Sequence, residues 1–184
     1  MKTSLFLLML MTTPSLAAEP NQLSQEERSA GFTLIFDGKT FDGWTQRDGN
    51  WVVEDGAFYR AKCGRTLIFV KNRLPDDFEF RFDWKVSPGT NSGVKYRDAN
   101  FEYQILDNSS KPVKLLNPRQ AAGSIYFGVA PCCDRTRKPG QWNTGRIVCK
   151  GTVIQHWLGE RKRFVGYTLN INPHSFWRKA RCPT

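Results

Sequence analysis

Apolar and polar residues alternate along several short stretches of the chain, most clearly from Phe78 to Val86. Aromatic residues and valine fill every second position of that stretch, and charged residues, beginning with Glu79 and ending with Lys85, fill the positions between them. Side chains of a β-strand point alternately to its two faces. The stretch therefore predicts a strand with one face in a core and one face in solvent.

Further short strands are predicted by similar patterns and by the Gly, Pro and Asp-Gly turns that bound them. They cover residues 32–36, 51–54, 57–60, 67–70, 92–97, 101–106, 123–129, 146–150 and 153–158. Residues 19–30 are mostly polar and are interpreted as a linker or short helix. Repeated short strands with almost no helical periodicity predict an all-β fold, a sandwich or jelly roll, in a single domain over residues 31–184.

The N-terminal residues have the pattern of a secretory signal peptide. Lys2 precedes an apolar run at 5–11, and Pro14 precedes small residues that end at Ala18. The run is too short to cross a bilayer, and a buried N-terminal helix is the alternative interpretation. We expect residues 1–18 to be removed and the protein to be secreted or periplasmic. The later sequence predicts no membrane span.

Composition narrows the possible partners. The formal net charge of +10 and the aromatic content of 13% raise the possibility of nucleic-acid binding, but the Lys and Arg residues are scattered rather than gathered in a stripe. No nucleic-acid partner is therefore predicted. The 5 cysteines are an odd number, so at least one is a free thiol or pairs between chains. Paired C-x-x-C spacings are absent, which favours structural disulfides or inert thiols over a zinc site.

Several motifs together resemble the 3-keto-disaccharide hydrolase domain family. They occur in the family's order at 31–38, 43–44, 51–56, 77–85, 91–97 (NSGVKYR), 102–108 (EYQILDN), 138–143 and 153–158 (VIQHWL). The resemblance implies a concanavalin-like jelly-roll β-sandwich with a concave sugar-binding face. It also implies hydrolysis of glycosides whose C3 hydroxyl has been oxidised to a ketone, by elimination followed by hydration. The resemblance ends near Tyr167, and residues 172–184 do not match the family's ending.

Two carboxylates could supply the base and acid of such a reaction. Glu102 and Gln104 share one face of a predicted strand, and Asp107 follows at the strand end. The ketone of a 3-keto sugar acidifies the C2 proton, so a carboxylate can abstract it while a cation stabilises the enolate. Lys85 and Arg97 are the predicted cations. The alternative for each is a charged side chain on a solvated strand face.

Four other features complete the candidate site. Asn91 shares strand parity with Arg97 and is predicted to orient sugar hydroxyls, and Gln104 is predicted to bind substrate beside it. Trp142 is predicted to stack on a sugar face. His156 is interpreted either as a rim histidine or as the proton donor to the leaving group.

The sequence leaves two alternatives open, one for the group that stabilises the enolate and one for the function. A divalent cation held by Glu102 or Asp107 could replace the cationic side chain as the enolate stabiliser, and the sequence leaves the cofactor open. The expected partner is a small carbohydrate substrate. The alternative function is a non-catalytic, lectin-like carbohydrate-binding module, since sandwiches of this type can bind sugars without chemistry.

Overall fold

The computed structural model describes residues 19–62, 66–110, 117–160, 163–170 and 177–181. Nearly all of their regular structure is β-strand, which confirms the all-β prediction. The predicted signal peptide lies outside the described residues. No helix within them is long and apolar enough to cross a membrane. The chain divides into two compact units, with the boundary between Arg73 and Leu74, and the single-domain organisation stays a prediction.

The first unit contains a short helix and two small antiparallel sheets. The elements are α1 Gln25–Ser29, β1 Trp44–Gln46, β2 Trp51–Glu54, β3 Ala57–Arg60 and β4 Leu67–Phe69. Helix α1 lies in the predicted linker and begins with a capping box, in which Ser24 and Glu27 satisfy each other's backbone N–H groups. β2 and β3 form the hairpin predicted across Asp55-Gly56, and β1 pairs with β4.

The strand predicted at residues 32–36 is wrong. Ile35 O accepts a hydrogen bond from Trp44 Nε1 at 2.7 Å, and the Phe36 ring packs on Phe58 with centroids 3.8 Å apart. The stretch therefore contributes Phe36 to an aromatic cluster, while Leu34 is 43% exposed. No strand among the described residues pairs with its backbone.

The second unit is built from a five-stranded sheet and a hairpin. Its strands are β5 Phe78–Trp84, β6 Asn91–Tyr96, β7 Phe101–Leu106, β8 Asn143–Lys150, β9 Val153–Glu160, β10 Arg163–Asn170 and β11 Trp177–Arg181. The sheet has the order β11-β10-β9-β8-β5, all antiparallel, and β6 pairs with β7. Strands β1, β10 and β11 were not predicted. Within residues 172–184, which do not match the family's ending, Trp177–Arg181 forms strand β11 at the edge of the sheet.

The β6–β7 hairpin packs on the five-stranded sheet to form two layers. Tyr103 of β7 is fully buried, and its ring centroid lies 5.1 Å from that of Phe82 in β5 and 4.8 Å from that of His156 in β9. Its hydroxyl donates a hydrogen bond to Trp157 O at 3.2 Å. Tyr103 therefore defines the inward face of the hairpin, and Phe82 and His156 define the inward face of the sheet.

The strand predicted at residues 123–129 is replaced by a short bulged segment. Isolated bridges join Ile125 to Tyr103 and to Val129, and the chain turns between them at Phe127, whose φ is 54°. Because the turn folds this stretch back on itself, a continuous strand cannot form, although its first half still runs along β7.

Candidate functional site

The outward face of the β6–β7 hairpin gathers several of the predicted site residues. Since Tyr103 points inward, its neighbours Glu102 and Gln104 belong to the opposite face. The strand register pairs Lys95 with Glu102 and Gly93 with Gln104. Residues that pair directly across antiparallel strands share one face of the sheet. We call this surface the hairpin outer face.

A third row of residues adds Tyr126 to the hairpin outer face. The Tyr126 N–H donates to Glu102 O at 3.0 Å, and the Gln104 N–H donates to Ser124 O at 3.2 Å. Together with the bridge between Tyr103 and Ile125, these bonds place Tyr126 opposite Glu102. Sequence reasoning missed Tyr126 as a site residue, although the alternation of residues 123–129 was the signal for its pairing with β7.

The Glu102 side chain occupies space that Gly93 leaves open. A Cβ atom at Gly93 would collide with Glu102 Oε1, so the Glu102 side chain reaches across β6. Burial of this half-buried carboxyl raises its pKa, and the nearby Lys95 ammonium partly opposes the rise. A desolvated carboxylate is a stronger base than one in water. The arrangement therefore suits proton abstraction.

Gln104 and Asn91 meet on the same face. The Gln104 Nε2 donates to Asn91 Oδ1 at 2.9 Å; Gln104 is buried, whereas Asn91 is exposed. The buried amide therefore orients the exposed one, and the structure brings these two predicted substrate-binding residues together.

Asp107 is engaged in holding turns. Its carboxylate accepts hydrogen bonds from the Ser109 Oγ at 2.6 Å, the Ser109 N–H at 2.9 Å and the Gly89 N–H at 2.9 Å. These bonds lower the pKa of Asp107, and the largest contribution comes from the Ser109 hydroxyl. An ionised carboxylate with these partners ties the chain after β7 to the loop before β6, and it has no proton to donate at neutral pH.

Arg97 is similarly engaged at the end of the hairpin. Its guanidinium donates to Asp76 O at 2.8 and 3.1 Å and to Gly151 O at 2.9 Å. Its φ is 50°, and the next two residues are also left-handed. A cavity of about 430 Å³ lies beside these groups. Arg97 thus ties three turns together. The guanidinium N–H groups that bond to these carbonyls are the same groups that would contact substrate in the predicted role.

Lys85 and Trp142 lie on the other side of the unit. In β5 the inward Phe82 and Trp84 alternate with outward Asp83, and Lys85 continues the outward series. Lys85 Nζ is 4.9 Å from the Trp142 ring centroid, so these residues contact each other on the outward side of the five-stranded sheet. The structure does not bring them to Glu102. The cation opposite Glu102 is Lys95, which sequence reasoning missed because the pairing register was unknown.

His156 lies in the core between the layers. It is completely buried, and Nδ1 lies 3.2 Å from Gly123 O and 3.1 Å from Ser124 O. Because carbonyls only accept, Nδ1 carries the proton, and Nε2 accepts from the Tyr96 hydroxyl at 2.8 Å. Burial lowers the pKa of His156 to about 3. A neutral, buried imidazole cannot donate a proton at the rim, so we leave it out of the site.

Metal ligands do not cluster in the described part of the chain. No three His, Cys, Asp or Glu side chains come together there. Glu102 pairs with Lys95 on the neighbouring strand β6, and the Asp107 oxygens accept hydrogen bonds from N–H and O–H groups. These surroundings do not fit a divalent cation, and we derive no step through one.

Cys132 is disulfide-bonded, while Cys133 and Cys149 are free thiols.

Comparison with protein families places these features in a known group. The model of the 3-keto-alpha-glucoside-1,2-lyase-like domain matches residues 31–168. The chain belongs to this family. The match covers every residue of the hairpin outer face, so the lyase-like domain contains Glu102, Lys95 and Tyr126.

Similar proteins support the same grouping and the fold. A 3-keto-disaccharide hydrolase from Bacteroides thetaiotaomicron is 35% identical over 176 residues, covering 75% of this chain and 59% of the relative. Two crystal structures of provisionally assigned glycosyl hydrolases from Parabacteroides distasonis also resemble the lyase-like domain. The first has a TM-score of 0.61 and 29% identity, covering 77% of this chain and 74% of that one. The second has a TM-score of 0.57 and 27% identity, covering 67% and 66%. The predicted jelly-roll sandwich is confirmed.

Proposed function

We propose that this chain is a carbohydrate-cleaving enzyme that acts on 3-keto-glycosides, with Glu102 as the catalytic base. The observation that carries the proposal is the half-buried Glu102 carboxyl, whose pKa is raised, between Lys95 and Tyr126 on the hairpin outer face. Family membership and the name of the Bacteroides relative support the substrate class. The matched region spans 59% of that relative's length.

The chemistry begins with removal of the C2 proton. Glu102 takes this proton, and the electrons of the C–H bond form an enolate with the C3 ketone. The Lys95 ammonium lies on the same face and stabilises the developing negative charge. The enolate then re-forms the ketone while the C1–O bond breaks. The leaving oxygen takes a proton from solvent water, and Glu102 releases the C2 proton to solvent. Water adds across the resulting C1–C2 double bond, which gives the free 3-keto sugar.

Gln104 and Asn91 bind the sugar beside the reacting carbons. The exposed Asn91 amide offers a donor and an acceptor to hydroxyl groups, and Gln104 limits its rotation. Fixing a substrate before reaction lowers the entropic part of the barrier. These two residues therefore position the C2 proton at Glu102.

The full chain can be tested with a synthetic 3-keto-glucoside and with the parent glucoside in D₂O. Elimination followed by hydration places deuterium at C2 of the released sugar, and we expect release only from the 3-keto compound. Parallel reactions with added divalent metal and with a chelator test whether turnover requires a divalent metal ion. Binding of both sugars with turnover of neither would contradict the enzymatic proposal and favour the lectin-like alternative.

Replacing Lys95 with methionine should move the acidic limb of the kcat/KM profile to higher pH. Lys95 lowers the pKa of Glu102, so without it a higher pH is needed to ionise the base. Above that limb, loss of the enolate-stabilising charge should lower kcat on the order of a hundredfold.

The matched control is Lys85→Met, since Lys85 lies on the outward side of the five-stranded sheet. Its pH profile should coincide with that of the parent protein. An unchanged acidic limb in the Lys95 variant, or a shift with the Lys85 variant alone, would contradict the proposed role of Lys95.

A further inference from the structure

Phe127 combines an exposed ring with a backbone conformation that phenylalanine rarely adopts. Its side chain is large and apolar, yet the residue is 54% exposed. Its φ of 54° lies in the left-handed region, where a residue with a bulky side chain is a strong outlier. Burial in the core therefore offers little compensation for the strain, and residues held in this way often mark binding sites.

Hydrogen bonds on both sides hold the Phe127 turn in place. The Phe127 N–H donates to Arg119 O at 2.9 Å, and the N–H groups of Gly128 and Val129 donate to Ile125 O at 2.6 and 2.9 Å. The ring is consequently presented from a fixed backbone. A preorganised aromatic ring loses little conformational entropy when it binds a ligand.

Tyr126 connects this ring to the proposed base. It lies opposite Glu102, and its hydroxyl accepts a hydrogen bond from Gln120 Nε2 at 3.0 Å. The Tyr126 and Phe127 ring centroids are 4.5 Å apart, with an interplanar angle of 64°. The two rings therefore form one ordered unit beside Glu102.

We propose that Tyr126 and Phe127 form the aromatic wall of the saccharide site, with Phe127 stacking on the apolar face of a pyranose ring. The inference rests on the proposed function, because it assumes that a sugar lies on the hairpin outer face. The C–H groups on one face of a neutral sugar complement the negative face of an aromatic ring. This wall takes the stacking role that the sequence analysis assigned to Trp142, which lies on the other side of the unit.

The test measures saccharide binding by calorimetry in the Glu102→Gln background, in which turnover is expected to be at least a hundredfold slower. The ligands are the synthetic 3-keto-glucoside and the unoxidised glucoside. Phe127→Ala should weaken binding roughly three- to tenfold. Trp142→Ala is the matched control, since Trp142 is 47% exposed, and it should leave the dissociation constant unchanged.

Phe127→Gly separates binding from structure. Glycine adopts a positive φ without strain, so this variant should have a higher Tm and yet bind the sugar as weakly as the alanine variant. With Glu102 restored, KM should rise while kcat changes little. If the ring had only a structural role, Phe127→Gly would have a higher Tm and bind the sugar as tightly as the protein with Phe127.

The outcomes distinguish this inference from the proposed function. Weaker binding of both sugars by the Phe127 variants, without turnover by the parent chain, would support the wall and contradict the catalytic proposal. Equal affinity in the parent and the Phe127 variants would overturn the wall alone. Failure of the parent protein to bind either sugar would overturn both.

Discussion

Replacing Glu102 with glutamine is expected to lower kcat for a 3-keto-glucoside by about 10²- to 10⁴-fold, the usual contribution of a positioned general base. Glutamine has nearly the same shape as glutamate and fits the space above Gly93. It cannot accept the C2 proton. Substrate affinity should change much less than kcat, because the sugar contacts made by neighbouring residues remain.

The comparison needs a control that makes the same chemical change elsewhere. Glu79→Gln is suitable, because Glu79 lies on the outward side of β5 and pairs with Arg146 at 2.8 Å and with Arg81 at 2.6 Å. This variant should lose some stability and keep its turnover. Full activity of Glu102→Gln, with an unchanged unfolding transition, would refute the assignment of the base.

Acidification below about pH 6.5, the ordinary pKa of histidine, is expected to destabilise the fold through His156. Its pKa is about 3 in the folded protein, whereas the unfolded chain takes up a proton near the ordinary value. Between these two values the unfolded state binds more protons, so the free energy of unfolding falls as the pH falls. The slope approaches about 1.4 kcal/mol per pH unit, and the total loss is on the order of several kcal/mol.

Denaturant unfolding between pH 7 and pH 5 measures this contribution. The measurement is best made in the Glu102→Gln background, because a raised carboxyl pKa contributes the opposite slope. Substituting His156 with glutamine should remove most of the pH dependence, at the cost of lower stability near pH 7, where the hydrogen bond between the imidazole and the Tyr96 hydroxyl is lost. A slope that persists in the His156 variant would show that another group titrates.

Local patterns predicted much of the strand content. Strands β5 and β7 alternate apolar and polar residues, and the Asp55-Gly56 pair marks the β2–β3 hairpin, because these signals depend only on neighbours in the sequence. Residues 32–36 show how the same reasoning fails. The Phe36 ring packs on Phe58, and Ile35 O accepts a hydrogen bond from the Trp44 indole. Nothing local reveals that no strand among the described residues pairs with this stretch.

The candidate site divides in the same way. Parity along β7 correctly placed Glu102 and Gln104 on one face, since alternation is a property of a single strand. The choice between Lys85 and Lys95 as the neighbouring cation depended on which strands pair and which faces point inward. Those facts come from the β6–β7 register and from the packing of Tyr103 on β5 and β9.

The sequence by itself determined the all-β class, the family and the strand that carries Glu102. These follow from short-range periodicity and from the order of motifs along the chain. The tertiary structure decided that Lys95 and Tyr126, rather than Lys85, flank Glu102, and that His156 is a core residue. The physical reason is that pKa, exposure and contact across strands depend on residues distant in sequence, which only the packed layers bring together.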